Sequence, residues 1–213
     1  MHRYDPGRQR LALGLAFLAG QVDAIGFVVA GGYFTSFMSG NTTRLGVDLA
    51  NAPALAFLPM VIITCFVGGV ALGAMVAMRC SGRHKRILLA MVTLLLGIAC
   101  LALQHSRDTL FLSFAAAAMG ISNNVFSRDG EVTVGVTYMT GALVRTGQGV
   151  AARLIGRPNA AMRGYPMLWL ALALGAICGA ALYAQSSLAA PIAAVALASA
   201  LFLYAMRIEG QPA

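Results

Sequence analysis

Charge is what this sequence has least of. Only 10% of its residues are Asp, Glu, Lys or Arg, against roughly a quarter in soluble domains. With 59% apolar residues, so little charge excludes the disordered and ordinary soluble classes and leaves a bilayer as the natural solvent. Disulfide chemistry is not indicated either, because Cys65, Cys100 and Cys178 lie within apolar runs and Cys80 at the end of one. Histidine is confined to His2, His84 and His105, in terminal or loop positions without metal-ligand spacing, so neither a metal nor a cofactor is expected. The single tryptophan, Trp169, falls with Tyr165 near the start of an apolar run and reads as an interfacial belt.

What the sequence does have is long apolar runs, at Leu11 to Ala30, Leu55 to Met78, Ile87 to Leu103, Thr109 to Phe126, Met167 to Tyr183 and Ile192 to Met206. Each is long enough for ~30 Å of hydrocarbon. Arg8 and Arg10 ahead of the first run resemble the head of a signal peptide, but the run continues into Gln21 and Asp23 with no small-x-small cleavage site, so a first span is expected instead. The net charge of +8 raises the question of nucleic acid, and the positions of the basic residues answer it. With six spans and the N-terminus in the cytoplasm, all but Arg44 and Arg107 fall on the cytoplasmic side. Such a bias identifies a lipid bilayer rather than nucleic acid as the partner, and both termini are expected inside.

A short passage occurs twice. Phe37-Met38-Ser39-Gly40, followed by Arg44 and Gly46, returns as Tyr138-Met139-Thr140-Gly141, followed by Arg145 and Gly147. The frame repeats as well, since Gly69 and Gly73 match Gly175 and Gly179, with Pro59 and Pro166 ahead of each pair. The expected architecture is an all-α membrane protein, one integral membrane domain over residues 1–213, built from repeats of about 11–103 and 109–207. Three spans per half make the repeats inverted. This count requires that Gly31 to Ala50 and Gly130 to Gly149 do not cross, and their polar residues suit broken or re-entrant segments lining a cavity. Paired breaks of this kind point to a solute site at mid-membrane.

Small residues follow one face of the first run, through Ala12, Ala16, Ala19, Asp23, Gly26 and Ala30, and Asp23 is the acid expected inside a helix core. Shifted by the motif distance, its counterpart is Asn124 beside Asn123. Two readings of Asp23 stand side by side: a proton or cation site, and an acid kept neutral or hydrogen-bonded across helices. Arg44 and Arg145 carry planar forks suited to an oxyanion, or else each snorkels to its own interface. Asp129 and Glu131 are alternative internal partners for them. Ser39, Asn41, Thr42, Thr43, Thr137, Tyr138 and Thr140 offer neutral donors and acceptors for a small-molecule or ion solute. An intramembrane serine protease is not expected, because Gly120-Ile121-Ser122 is followed by Asn123 and no apolar run carries a histidine base; the chain is therefore not read as an enzyme.

Gly20-Gln21-Val22-Asp23-Ala24, then Gly31-Gly32-Tyr33-Phe34 and Met38-Ser39-Gly40-Asn41-Thr42, resemble the N-terminal signature of the YoaK family of bacterial inner-membrane proteins. Gly120 through Asn124 and Thr137-Tyr138-Met139-Thr140-Gly141 resemble its second signature. The resemblance implies six helices in the bacterial inner membrane and a domain without an assigned function, often suggested to be a permease. Expected from all of this is a permease for a small polar or anionic solute, with a passive anion channel and a non-transporting scaffold as alternatives. Six short helices leave little wall around a pathway, which leaves room for a homodimer.

Overall fold

The computed structural model describes residues 5–80, 82–128, 131–157 and 164–209, without the side chains of 128, 131 and 209. These form helices α1 (Pro6–Val29), α2 (Met38–Asn51), α3 (Phe57–Arg79), α4 (His84–Gln104), α5 (Asp108–Ser122), α6 (Met139–Leu154), α7 (Tyr165–Gln185) and α8 (Ala189–Glu209). A 3-10 turn at Pro53–Ala56 leads into α3. The only departure from helix and turn among the described residues is a ladder of β1 (Ser127–Arg128) against β2 (Glu131–Val132), antiparallel with Ser127 opposite Val132. The sequence pattern gave no sign of that ladder.

The helix ends follow local chemistry. Asp5 caps α1 by accepting the Arg8 N–H at 2.8 Å, with Pro6 in the first turn, where its missing N–H costs nothing. At the other end Gly31 and Gly32 take φ of +63° and +114°, which a side chain would resist, and the Gly32 N–H reaches back to the Phe27 carbonyl at 2.9 Å. The chain can then turn sharply toward α2.

Among the described residues five helices are long and apolar enough to cross a membrane, namely α1, α3 with its lead-in turn, α4, α7 and α8. α5 is shorter, at 15 residues. The run expected to continue to Phe126 stops being helical at Ser122. There the Asn123 amide donates to the Met119 carbonyl at 3.1 Å, a local bond that competes with helix propagation, while the Asn124 amide reaches across to the Val70 carbonyl of α3 at 3.1 Å. Phe57, Leu94, Ile177 and Leu203 project outward and are well exposed, as lipid-facing side chains are. By contrast α1 has 61% of its most apolar window buried, against 17% for α7, so α1 runs through the middle.

Close backbone approach organises the core. Gly20 of α1 meets the backbone at Leu172 and Ala176 of α7, while Gly175 and Gly179 of α7 meet Phe17 and Gln21. A similar arrangement recurs between α5 and α3: Gly120 meets the backbone at Phe66 and Val70 and Gly69 that at Ala117, while Gly73 meets the side chain of Asn124 just beyond α5. In lipid there is no hydrophobic drive between helices, so glycine contacts that let backbones touch supply much of the association. Each half thus lends its first helix to the Gly-rich helix of the other, α1 to α7 and α5 to α3.

These contacts also fix the register of the duplication. Gly20 corresponds to Gly120, and the buried sites of α1, such as Ala12, Ala16 and Ala19, correspond to Leu112, Ala116 and Met119 of α5. The motif copies, Met38 and Met139, are one residue further apart. Asp23 therefore corresponds to Asn123, and not to Asn124 as a uniform shift suggests.

Replacing Gly69 by Val places atoms where the Ala117 backbone lies, and a stability loss of about 1–3 kcal/mol is expected. Gly68→Val is the control, because nothing lies within 4 Å of a Cβ built there, and it is expected to stay within about 0.5 kcal/mol of the parent. Unfolding in mixed micelles measures both.

Candidate functional site

The break between α1 and α2 is held by a carboxylate. Asp23 Oδ1 accepts the Thr35 N–H at 2.8 Å, the Thr35 hydroxyl at 2.9 Å and the Ser36 N–H at 2.6 Å, and Oδ2 accepts the Ser36 hydroxyl at 2.6 Å. Four donors converging on one carboxylate match the acceptor capacity of the ionised form. Asn41 adds a second clip, accepting the Phe34 N–H at 2.9 Å and donating to the Phe34 carbonyl at 2.7 Å. Peptide groups freed by the turn thereby acquire partners within the protein, as hydrocarbon demands.

Arg44 belongs to the same scaffold. Its Nε donates to the Gly32 carbonyl at 3.1 Å and its Nη2 to the Gly31 carbonyl at 3.0 Å, while the guanidinium lies 5.0 Å from the centre of the Tyr33 ring. The Tyr33 hydroxyl in turn donates to Asp48 Oδ2 at 2.6 Å. Asp48 is buried in α2 and is a second acid within a helix, so Asp23 is not alone in that respect. The charge pattern of Arg44 and Asp48, four residues apart on one helix, was the available signal for this cluster.

The second copy is built more simply. Asn123 Oδ1 accepts the Thr137 hydroxyl at 3.1 Å, and the Thr133 hydroxyl and N–H both donate to the Phe126 carbonyl, at 2.6 and 2.8 Å. Arg145 stacks 4.9 Å from the Tyr165 ring centre. Asp129 and the Glu131 side chain lie outside the described residues; the Glu131 backbone pairs with Arg128 in the ladder.

Between the two copies is a cavity of about 540 Å³, walled by Ser36, Phe37, Met38 and Ser39 from one, Thr137, Tyr138, Met139, Thr140 and Gly141 from the other, and Phe66. Its size is within the range of small-molecule sites. The first turns of α2 and α6 both belong to this wall, and neither helix has a side-chain cap, so their leading N–H groups are without intrahelical acceptors. Of the residues singled out from sequence, Ser39, Tyr138 and Thr140 line the cavity. Asp23 and Asn123 stand one layer behind, bonded to the lining Ser36 and Thr137. Asn41 serves the turn, and the Thr42 and Thr43 hydroxyls close on α2 carbonyls at Met38 and Ser39. Asn124 packs against Gly73 and α3. Neither arginine lines the cavity, contrary to a shared arginine pocket.

Among the described residues no group of three or more His, Cys, Asp or Glu is placed to hold a metal ion. Ser36 was the lining residue least visible in the sequence. Its signal is that a hydroxyl precedes the aromatic-Met pair in both copies, Ser36 before Phe37-Met38 and Thr137 before Tyr138-Met139.

Apolar helices glycine-packed around two interrupted segments define a multi-pass α-helical membrane protein. Its family follows from comparison: residues 11–204 match the model described as Protein of unknown function (DUF1275), and the chain belongs to that family, the one known as YoaK. It is also 38% identical over 186 residues to UPF0700 transmembrane protein RA0705 of Rhizobium meliloti (strain 1021), covering 84% of this chain and 80% of that one. No solved structure matches.

Asp23→Ala leaves the Thr35 and Ser36 donors without their acceptor, and a loss on the order of 3 kcal/mol is expected, since bonds to a charged group are the costly ones. Asn123→Ala removes two neutral bonds, one accepted from Thr137 and one donated to the Met119 carbonyl, and is expected to cost about 1–2 kcal/mol. Denaturation of the two purified variants beside the parent checks the ratio.

Proposed function

We propose that the protein is a permease of the bacterial inner membrane that carries a small polar solute, preferentially an anion, through the cavity between its two motif copies. The observation that carries this reading is the composition of that wall, which takes matching residues from each copy and little else. Two uncapped helix N-termini offer N–H donors and the positive ends of two helix dipoles, an environment suited to a negatively charged acceptor. The hydroxyls of Ser39, Tyr138 and Thr140 add neutral donors.

In this reading α5 and the Asn123–Phe126 turn together make the sixth crossing, and the halves are inverted repeats with both termini in the cytoplasm. Support comes from the corresponding α1–α7 and α5–α3 contacts and from the sorting of basic residues to one side. Alternating access then amounts to opening one motif arm or the other, so that the same solute meets each side of the membrane in turn.

The test is thermal unfolding of the purified protein against a panel of chloride, fluoride, nitrate, phosphate and acetate, with glycerol as the neutral member. At one hundred times its Kd a ligand stabilises the folded state by about 2.7 kcal/mol. At least one anion is expected to raise the melting temperature in a concentration-dependent way, and Ser39→Leu combined with Thr140→Leu is expected to abolish the shift. An anion-induced shift that survives this double variant contradicts the assignment of the cavity, and no shift with any anion contradicts the anion preference.

A further inference from the structure

The two arms that wall the cavity are not held alike. We infer that the second arm, Thr133 to Leu154, is the moving gate and the first, Gly31 to Asn51, the fixed wall. Calling it a gate rests on the transport reading; the difference in anchorage does not.

Asp23 binds its arm through four hydrogen bonds, whereas Asn123, at the corresponding site, takes one, from Thr137. An amide oxygen is neutral and has less capacity than a carboxylate, so this bond is also the weaker kind. Asn41 clips both peptide groups of Phe34; the same step in the second copy is Ala142, which has no polar side chain. Tyr33 and Asp48 join the first arm's turn to its helix; the second copy has Val134 and Gly149 there and cannot form that bond. Arg44 holds two carbonyls of the turn after α1, while the contact described for Arg145 is with the Tyr165 ring on α7.

The Asp23, Asn41 and Tyr33–Asp48 latches of the first arm are thus weakened or missing in the second by substitution at the matching residue, and Arg145, though retained, stacks on Tyr165. The second arm's own tie is Thr133, whose hydroxyl and N–H both donate to the Phe126 carbonyl. Burial agrees. α6 buries Ala142 alone, against Asn41 and Asp48 in α2, and exposes Leu143, Val144, Val150 and Leu154 where α2 exposes Val47 and Leu49. Low contact density with few anchoring bonds is the physical description of a segment that opens below the global unfolding free energy.

The test is hydrogen exchange by mass spectrometry on the full chain in nanodiscs, without any solute, comparing peptides over Ser36–Arg44 with those over Thr137–Arg145. Amides of the second segment are expected to exchange at least about tenfold faster than their matched counterparts. Equal rates, or faster exchange in the first segment, overturn the inference. A transplant supplies the second arm of the test: Asn123→Asp with Ala142→Asn imports the first arm's latches and is expected to slow exchange over Thr137–Arg145, while Asp23→Asn is expected to speed it over Ser36–Arg44. If neither variant shifts its own segment relative to the other, the latches do not set the difference and the inference falls. Because no solute enters, these outcomes stand apart from success or failure of the permease reading.

Discussion

An interrupted backbone inside an apolar protein must find its own hydrogen-bond partners, and the rest of this structure depends on how that demand is met. Water is absent at depth, and each unpartnered peptide group costs several kcal/mol. Asp23 meets the demand for Thr35 and Ser36, Asn41 meets it for Phe34, and Arg44 meets it for Gly31 and Gly32. With the turn fixed, α2 starts at Met38 and presents its first turn to the cavity. Remove the carboxylate and the wall loses its support before any solute is involved.

The same logic reassigns the polar residues that attract attention in the sequence. Asp23 and Arg44 read equally well as ligands or as structure when only their rarity is visible. Geometry places them behind the cavity wall, because Asp23 holds the N–H and hydroxyl groups of Thr35 and Ser36, Arg44 holds two turn carbonyls, and neither lines the cavity. What remains for a solute is modest in charge, namely hydroxyls and helix-end amides. Under the permease reading, donors of that sort bind without the desolvation cost of a fixed ion and release easily, which suits a carrier better than a tight receptor.

Much of this was legible in the sequence. The doubled motif, the glycine pairs and the inward face through Asp23 follow from spacing alone, and the structure brings both motifs to one cavity and both glycine pairs to close helix contacts. The register did not follow, since one residue fewer separates Gly20 from Gly120 than Met38 from Met139, and a uniform shift therefore selects Asn124 over Asn123. The end of α5 was missed because apolar content continues past the point where asparagine side chains capture carbonyls. Tyr33 and Asp48 went unrecognised because their bond spans a turn whose path no periodicity describes. Arg44 misled for a related reason, as a guanidinium can serve two backbone carbonyls as well as it serves an oxyanion.

The central claim is that one cavity, shared by both motif copies, meets both sides of the membrane. Ser39→Cys and Thr140→Cys, placed singly in a background free of the four native cysteines, test it most directly when membrane vesicles of each orientation are treated with an impermeant thiol reagent. The account predicts that each cysteine is modified from both sides. Modification of each from one side only, or of neither from any side, would contradict it.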